Sequence, residues 1–210
     1  SGFRAASFEF DHVTNYLVAR AEGLAAKFIQ PVNKRILLHT HDGMDEVGRN
    51  VAKMLTAVPG LTLVDTIAEP GYTCGGSGAD RSPGLKQVAR AATLARAERE
   101  DVDVLVSLYH GCHGQLSGLE AGGKFEVMNW TDILVQALGQ QPHDDVSKRY
   151  RCQDDWDMVL DEGEIFLKAN GIHMDRDWLK NLLPEIFAQS EFKGGLEDFG
   201  CERDVVGAAE

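Results

Sequence analysis

Residues 103–113 read Asp103-Val104-Leu105-Val106-Ser107-Leu108-Tyr109-His110-Gly111-Cys112-His113, and this stretch decides the fold. The near-continuous apolar run over 104–108 suits a strand covered on both faces, as in a parallel sheet between two helical layers. A glycine-bearing loop with three chemically capable side chains follows at once. Working outward, the same alternation recurs. Residues 34–39 and 61–67 read as strands and residues 125–127 as a short one. Residues 47–55, the alanine-rich 85–98 and 130–138 have helical spacing, and the loop after 109 opens into a short helix carrying His113 and Leu116. Strands alternating with helices at this spacing predict an α/β fold, an open parallel-rich sheet with helices on both faces.

The flanks differ from this centre. Residues 1–30 form a helical lead-in, with one helix expected over 8–28, Asp11 as its cap and Pro31 ending it. The α/β unit occupies 31–140. Residues 141–210 read as an acidic helical extension, with helices over 146–170 and 177–187. Of the net charge of −12, residues 1–140 carry −3 and residues 141–210 carry −9. An acidic chain lacks the positive footprint of a nucleic-acid binder and is repelled by anionic membrane surfaces. No stretch approaches the apolar length of a membrane helix. The opening Ser1-Gly2-Phe3-Arg4 has no apolar signal region, so a cytoplasmic site is expected.

Three glycine-containing loops, 40–44, 70–78 and 109–114, follow strand ends. In open α/β sheets the crevice beyond the carboxyl ends of the strands binds ligands, which groups His41, Asp42, Cys74, Cys112 and His113. In the middle loop, Cys74-Gly75-Gly76-Ser77-Gly78, glycines allow a backbone whose N–H groups converge on a thiolate, a cluster sulfur or a phosphate. A Walker loop is excluded, because its lysine and hydroxyl residue are missing. In the last loop, His110, Cys112 and His113 lie within four residues. With Cys74 and His41 they make a mixed thiolate and imidazole set that zinc accepts, and soft thiolates also suit iron–sulfur chemistry. Cys74 with Cys112 is alternatively a redox pair, its thiolates favoured by protonated histidines nearby. The plainer reading is a glycine turn with buried cysteines and hydrogen-bonded histidines. Asp42 orients a histidine or caps the helix near Asp45. Cys152 and Cys201 read as bystanders. No G-x-S-x-G, H-E-x-x-H or C-x-x-C-H motif is present.

At these loops the sequence resembles the cysteine-rich CCG domain. That domain is found in heterodisulfide reductase B subunits and in the iron–sulfur subunits of glycolate and lactate oxidases and thiol–fumarate reductases. The family pattern is H-D-P-C, then C-C-G-x-G-G, then C-P-x-C-H with a leucine three residues on. Here the loops are His41-Asp42-Gly43-Met44, Thr73-Cys74-Gly75-Gly76-Ser77-Gly78 and Tyr109-His110-Gly111-Cys112-His113, followed by Leu116. Arg49 matches a frequent family arginine. The resemblance covers roughly 31–140. It implies an α/β sheet, a [4Fe–4S] cofactor and a site built on Cys74 and Cys112, with His41, Asp42, Gly75, Gly76, Gly78, His110, Gly111 and His113 around it. Three ligand positions are changed: Met44, Thr73 and Tyr109 stand where the family has cysteine. A cubane usually takes four thiolates, so no intact cluster is expected on this chain alone.

The leading expectation is therefore a subunit of a heterodisulfide-reductase-like redox complex, active in thiol–disulfide or electron-transfer chemistry. Its partners would be redox protein subunits or a paired CCG-like domain, and a homo-oligomer is compatible with the sequence. Two alternatives stand beside it. One is a cluster-free interaction subunit that keeps the fold as a docking module. The other is a mononuclear zinc or iron site on Cys74, Cys112 and His113.

Overall fold

The computed structural model describes residues 11–41, 43–68, 83–122 and 124–187. Its centre is a four-stranded sheet of β1 (Arg35–His39), β2 (Thr62–Ile67), β3 (Val104–Ser107) and β4 (Glu126–Asn129). The strand order is β2-β1-β3-β4, and every pairing is parallel. Leu37 pairs with Leu105 and Leu105 with Val127, so matching positions line up across the sheet. The order reverses between β1 and β3, which places a switch point at the carboxyl ends of these two strands.

Strand alternation sends neighbouring side chains to opposite faces, and both faces are apolar. Ile36, Leu38, Val104, Val106, Leu108 and Met128 form one core. It is covered by α3 (Asp45–Thr56) and α6 (Trp130–Ala137), with α1 (Val13–Val18) and α2 (Ala21–Ala25) outside. Leu37, Leu105 and Val127 form the other core, with Leu94 of α4 (Pro83–Arg99), Leu116 of α5 (His110–Leu116) and Leu119 of the 3₁₀ turn Ser117–Ala121. This is the open parallel α/β layer expected from the strand pattern. Fully burying such aliphatic side chains contributes roughly 1.5–3 kcal/mol each, so the double-sided apolar strands set the architecture.

Local chemistry fixes the connections. Gly60 turns the chain from α3 into β2 at φ +80°, and a Cβ there would lie 2.3 Å from Asn33 Oδ1. Asn129 ends β4 and caps α6 in a box closed by Asp132. The Trp130 indole N–H donates to the Leu108 carbonyl at 2.9 Å, tying α6 to the end of β3.

Two expected helices are each broken in two. The lead-in forms α1 and α2 rather than one helix, because Arg20 leaves helical geometry at φ −118°, ψ 18°. His12, not Asp11, is the cap of α1; the Asp11 carboxylate accepts from the His12 N–H and the Asn15 amide instead. The expected 146–170 helix forms α7 (Val146–Arg151) and α8 (Trp156–Ala169), restarted by Asp155, which accepts from the Met158 N–H at 3.0 Å. The last described helix is α9 (Arg176–Phe187), packed with α7 and α8 around Val159, Leu160 and Leu183. Among the described residues no helix is long and apolar enough to cross a membrane.

Candidate functional site

The carboxyl ends of β1 and β3 deliver His41 and Tyr109 to one edge of the sheet. Their rings meet edge to face at 6.4 Å between centroids, and His12 meets Tyr109 in the same way at 6.2 Å. Tyr109 is followed directly by α5, whose first turn holds His110, Gly111 and Cys112. His110 and Gly111 are exposed. Cys112 is only 2% exposed and packs with Leu37, Leu105 and Leu116. Burial raises the Tyr109 hydroxyl above its ordinary pKa, and the nearby Cys112 thiolate charge raises it further. The structure thus brings His41, Tyr109 and Cys112 together at the switch point. Asp42, Cys74, Gly75, Gly76 and Gly78 lie outside the described residues, as does Thr73.

His113 belongs to a second, adjoining arrangement. Its Nδ1 hydrogen-bonds Ser107 Oγ at 3.2 Å, and its Nε2 meets Asp145 Oδ2 across the seam to the C-terminal helices. Ser107 Oγ also lies 3.2 Å from the Met128 carbonyl and donates to it. The Asp145 carboxylate can only accept, so His113 Nε2–H donates to it, while Ser107 Oγ, able to donate or to accept, serves Nδ1 on the other side of the ring. Both ring nitrogens are engaged in this network, so a metal ion would have to displace Ser107 or Asp145 to use His113.

Asp145 is held from a second side by the Lys148 backbone N–H at 2.9 Å. Burial pushes its carboxyl up, but the Lys148 N–H and His113 outweigh burial and leave it below the ordinary carboxylate value. The Lys148 ammonium reaches Glu120 at 3.0 Å and the Val127 carbonyl at 3.1 Å. A cleft of about 620 Å³ runs along this seam, lined by His113, Glu120, Asp145, Lys148 and Cys152. The Cys152 thiol points to the Ser117 carbonyl at 3.4 Å; burial, then the Glu120 charge, raises its pKa.

Sequence reading missed Ser107, Asp145 and Lys148. Ser107 lies inside the central strand, and Asp145 and Lys148 lie in the junction and extension. No spacing signal links them to His113, because the link is a fold-back of the extension. Among the described residues no three His, Cys, Asp or Glu side chains gather to hold a metal ion. The described donors at the family's ligand positions also fit an iron–sulfur cluster poorly. Cys112 is enclosed by aliphatic side chains, Tyr109 packs into both cores, and Met44 is 41% exposed. Comparisons with protein-family models, with curated proteins and with solved structures found no match.

Proposed function

We propose that this chain is a subunit of a heterodisulfide-reductase-like redox complex, acting through thiol–disulfide chemistry on Cys112 and Cys74. The observation that supports the reading is the position of Cys112. It lies in the first turn of α5, just past β3 at the switch point, and packs near Tyr109, whose ring meets His41. This is the edge at which open α/β sheets bind their ligands. In the proposed exchange one thiolate attacks a substrate disulfide, forming a mixed disulfide and releasing one substrate thiolate. The second cysteine then attacks the mixed disulfide and releases the other. The substrate disulfide gains two electrons, and Cys74 and Cys112 end as a disulfide, to be reduced by a dithiol of a partner subunit. No step is routed through a metal cluster.

A second reading is supported by the burial of Cys112 and the full engagement of His113: a cluster-free interaction subunit that keeps the fold as a docking module. One experiment separates the two. The reduced chain is reacted in a single turnover with a small aromatic disulfide, then digested without reduction and mapped by mass spectrometry. The redox reading expects a linked Cys74–Cys112 peptide pair, abolished by Cys74→Ser and by Cys112→Ser. No linked pair, with Cys112 unmodified in the folded chain, removes the redox reading and leaves the docking module. Iron, zinc and acid-labile sulfide measured after anaerobic purification decide the metal question separately.

A further inference from the structure

The C-terminal helices carry an apolar surface that none of the chemistry above uses. Between α8 and α9 lies a groove of about 280 Å³ floored by Val159, Leu160 and Leu183. Its open wall is Phe166, 68% exposed, with Ile172 and Met174 from the α8–α9 connection, 44% and 46% exposed. Ile165 and Trp178 stand exposed on the same two helices. None of the groove's residues lines the His113–Asp145 cleft. Single exposed apolar side chains are ordinary, but several gathered around a groove mark an interaction surface.

The charge around the groove selects the occupant. Between residues 156 and 187 seven carboxylates face three basic side chains. Each of those three is already held by a carboxylate of α8: Lys168 by Glu164, Arg176 by Asp161, and Lys180 by Asp157. Arg149 of α7 holds Glu162 at 2.8 Å, so the negative surplus here rests on Asp175, Asp177 and Glu185, and the whole chain is at −12. A second copy would bring like charges together, whereas a basic partner gains from every uncompensated carboxylate. A slot between two helices with apolar walls matches helix-in-groove recognition, in which anchors at i, i+3, i+4 and i+7 enter the slot. A methionine on the wall adds a side chain that adapts to its occupant.

We propose that the α8–α9 groove docks an amphipathic helix of a partner protein whose apolar stripe is flanked by lysine and arginine. The proposal does not depend on the thiol chemistry, and its test reads binding alone. The probe is a fluorescein-labelled synthetic helix with leucines at i, i+3, i+4 and i+7 and lysines flanking them. Its controls are the same peptide with glutamates for lysines, and a scramble of equal composition. Binding to the full chain is followed by fluorescence anisotropy at several salt concentrations. The lysine-flanked helix is expected to bind about tenfold or more tighter than either control, and to weaken as salt rises. Phe166→Ser and Met174→Ser, at exposed positions, should each reduce affinity several-fold with an unchanged circular dichroism spectrum. Equal binding of the lysine and glutamate peptides, or wild-type affinity in both serine variants, overturns the proposal. So does a concentration-dependent dimer abolished by Phe166→Ser, which assigns the groove to a second copy. Binding only after removal of residues 188–210 overturns it as well, assigning the groove to the chain's own tail.

Discussion

His113 and Asp145 join the two parts of the molecule: the imidazole just beyond β3 pairs with the carboxylate that starts α7. One side chain of Asp145 therefore serves two elements, a helix cap and a tie to the sheet. Because His113 is in turn held by Ser107, the tie reaches into the end of the central strand.

The two duties of Asp145 can be separated by substitution. Asp145→Ala removes both the cap on the Lys148 N–H and the partner of His113. A lost cap costs about 0.5–2 kcal/mol, and a charge-assisted hydrogen bond about 1.5–3 kcal/mol. Asp145→Asn keeps a capping oxygen and loses the charge. Urea unfolding is expected to rank the chains wild type, then Asn, then Ala. Equal stability of Asn and Ala variants would show that the cap contributes nothing.

Acid should weaken the same seam. The folded-state pKa of Asp145 lies below its ordinary value of 3.8, so the folded state favours the charged carboxylate. The resulting stabilisation is complete above the unfolded-state value and is lost as pH falls through the folded-state value. The relevant window therefore lies below about pH 4. Stability measured across that window should fall less steeply in Asp145→Asn than in wild type. Parallel curves for the two chains would assign the acid limb to other carboxylates.

Cys152 tests the electrostatics from another side. Burial and the Glu120 carboxylate both disfavour its thiolate. Its alkylation in the folded chain, followed peptide by peptide with iodoacetamide, should be slower than in the urea-unfolded chain. It should also rise at a higher pH than for an ordinary cysteine. Glu120→Gln should move the profile back toward lower pH. An unperturbed profile for Cys152 in the wild type would contradict this placement.

The sheet was legible because its two central strands, β1 and β3, are apolar on both faces. The run over 103–108 and the basic-flanked 34–39 each carry one periodicity, and both became strands within a residue or two of the expected limits. Helix breaks were not legible. At 152–155 the sequence Cys152-Gln153-Asp154-Asp155 has no glycine or proline, and the break depends on Asp155 capping a new helix. The site was legible in part. Alternation and loop position predicted the meeting of His41 with the 109–113 loop, which depends only on two adjacent parallel strands ending together. The engagement of His113 was not readable, since its partner Asp145 is 32 residues away and reaches it only when the extension folds back.

Lys148 offers a test of that fold-back. Its side chain is 17% exposed and its ammonium bonds Glu120 and the Val127 carbonyl, so it joins α7 to the 3₁₀ turn and to β4. Glu120 in turn accepts from the Val127 N–H at 2.7 Å, so the two side chains act on one strand position. Lys148→Met keeps the aliphatic stem and removes the charge. It leaves Glu120 one partner fewer, at an expected cost of about 1.5–3 kcal/mol. Glu120→Gln alone should cost less, because the amide oxygen still accepts from Val127. Because the residues share a contact, the double variant should be more stable than the sum of the two single losses predicts. Limited proteolysis supplies the structural readout: cleavage within 139–145 should quicken in Lys148→Met while the sheet segments stay protected. Strict additivity in the unfolding cycle, with unchanged cleavage in that junction, would show that Lys148 does not hold the extension to the sheet.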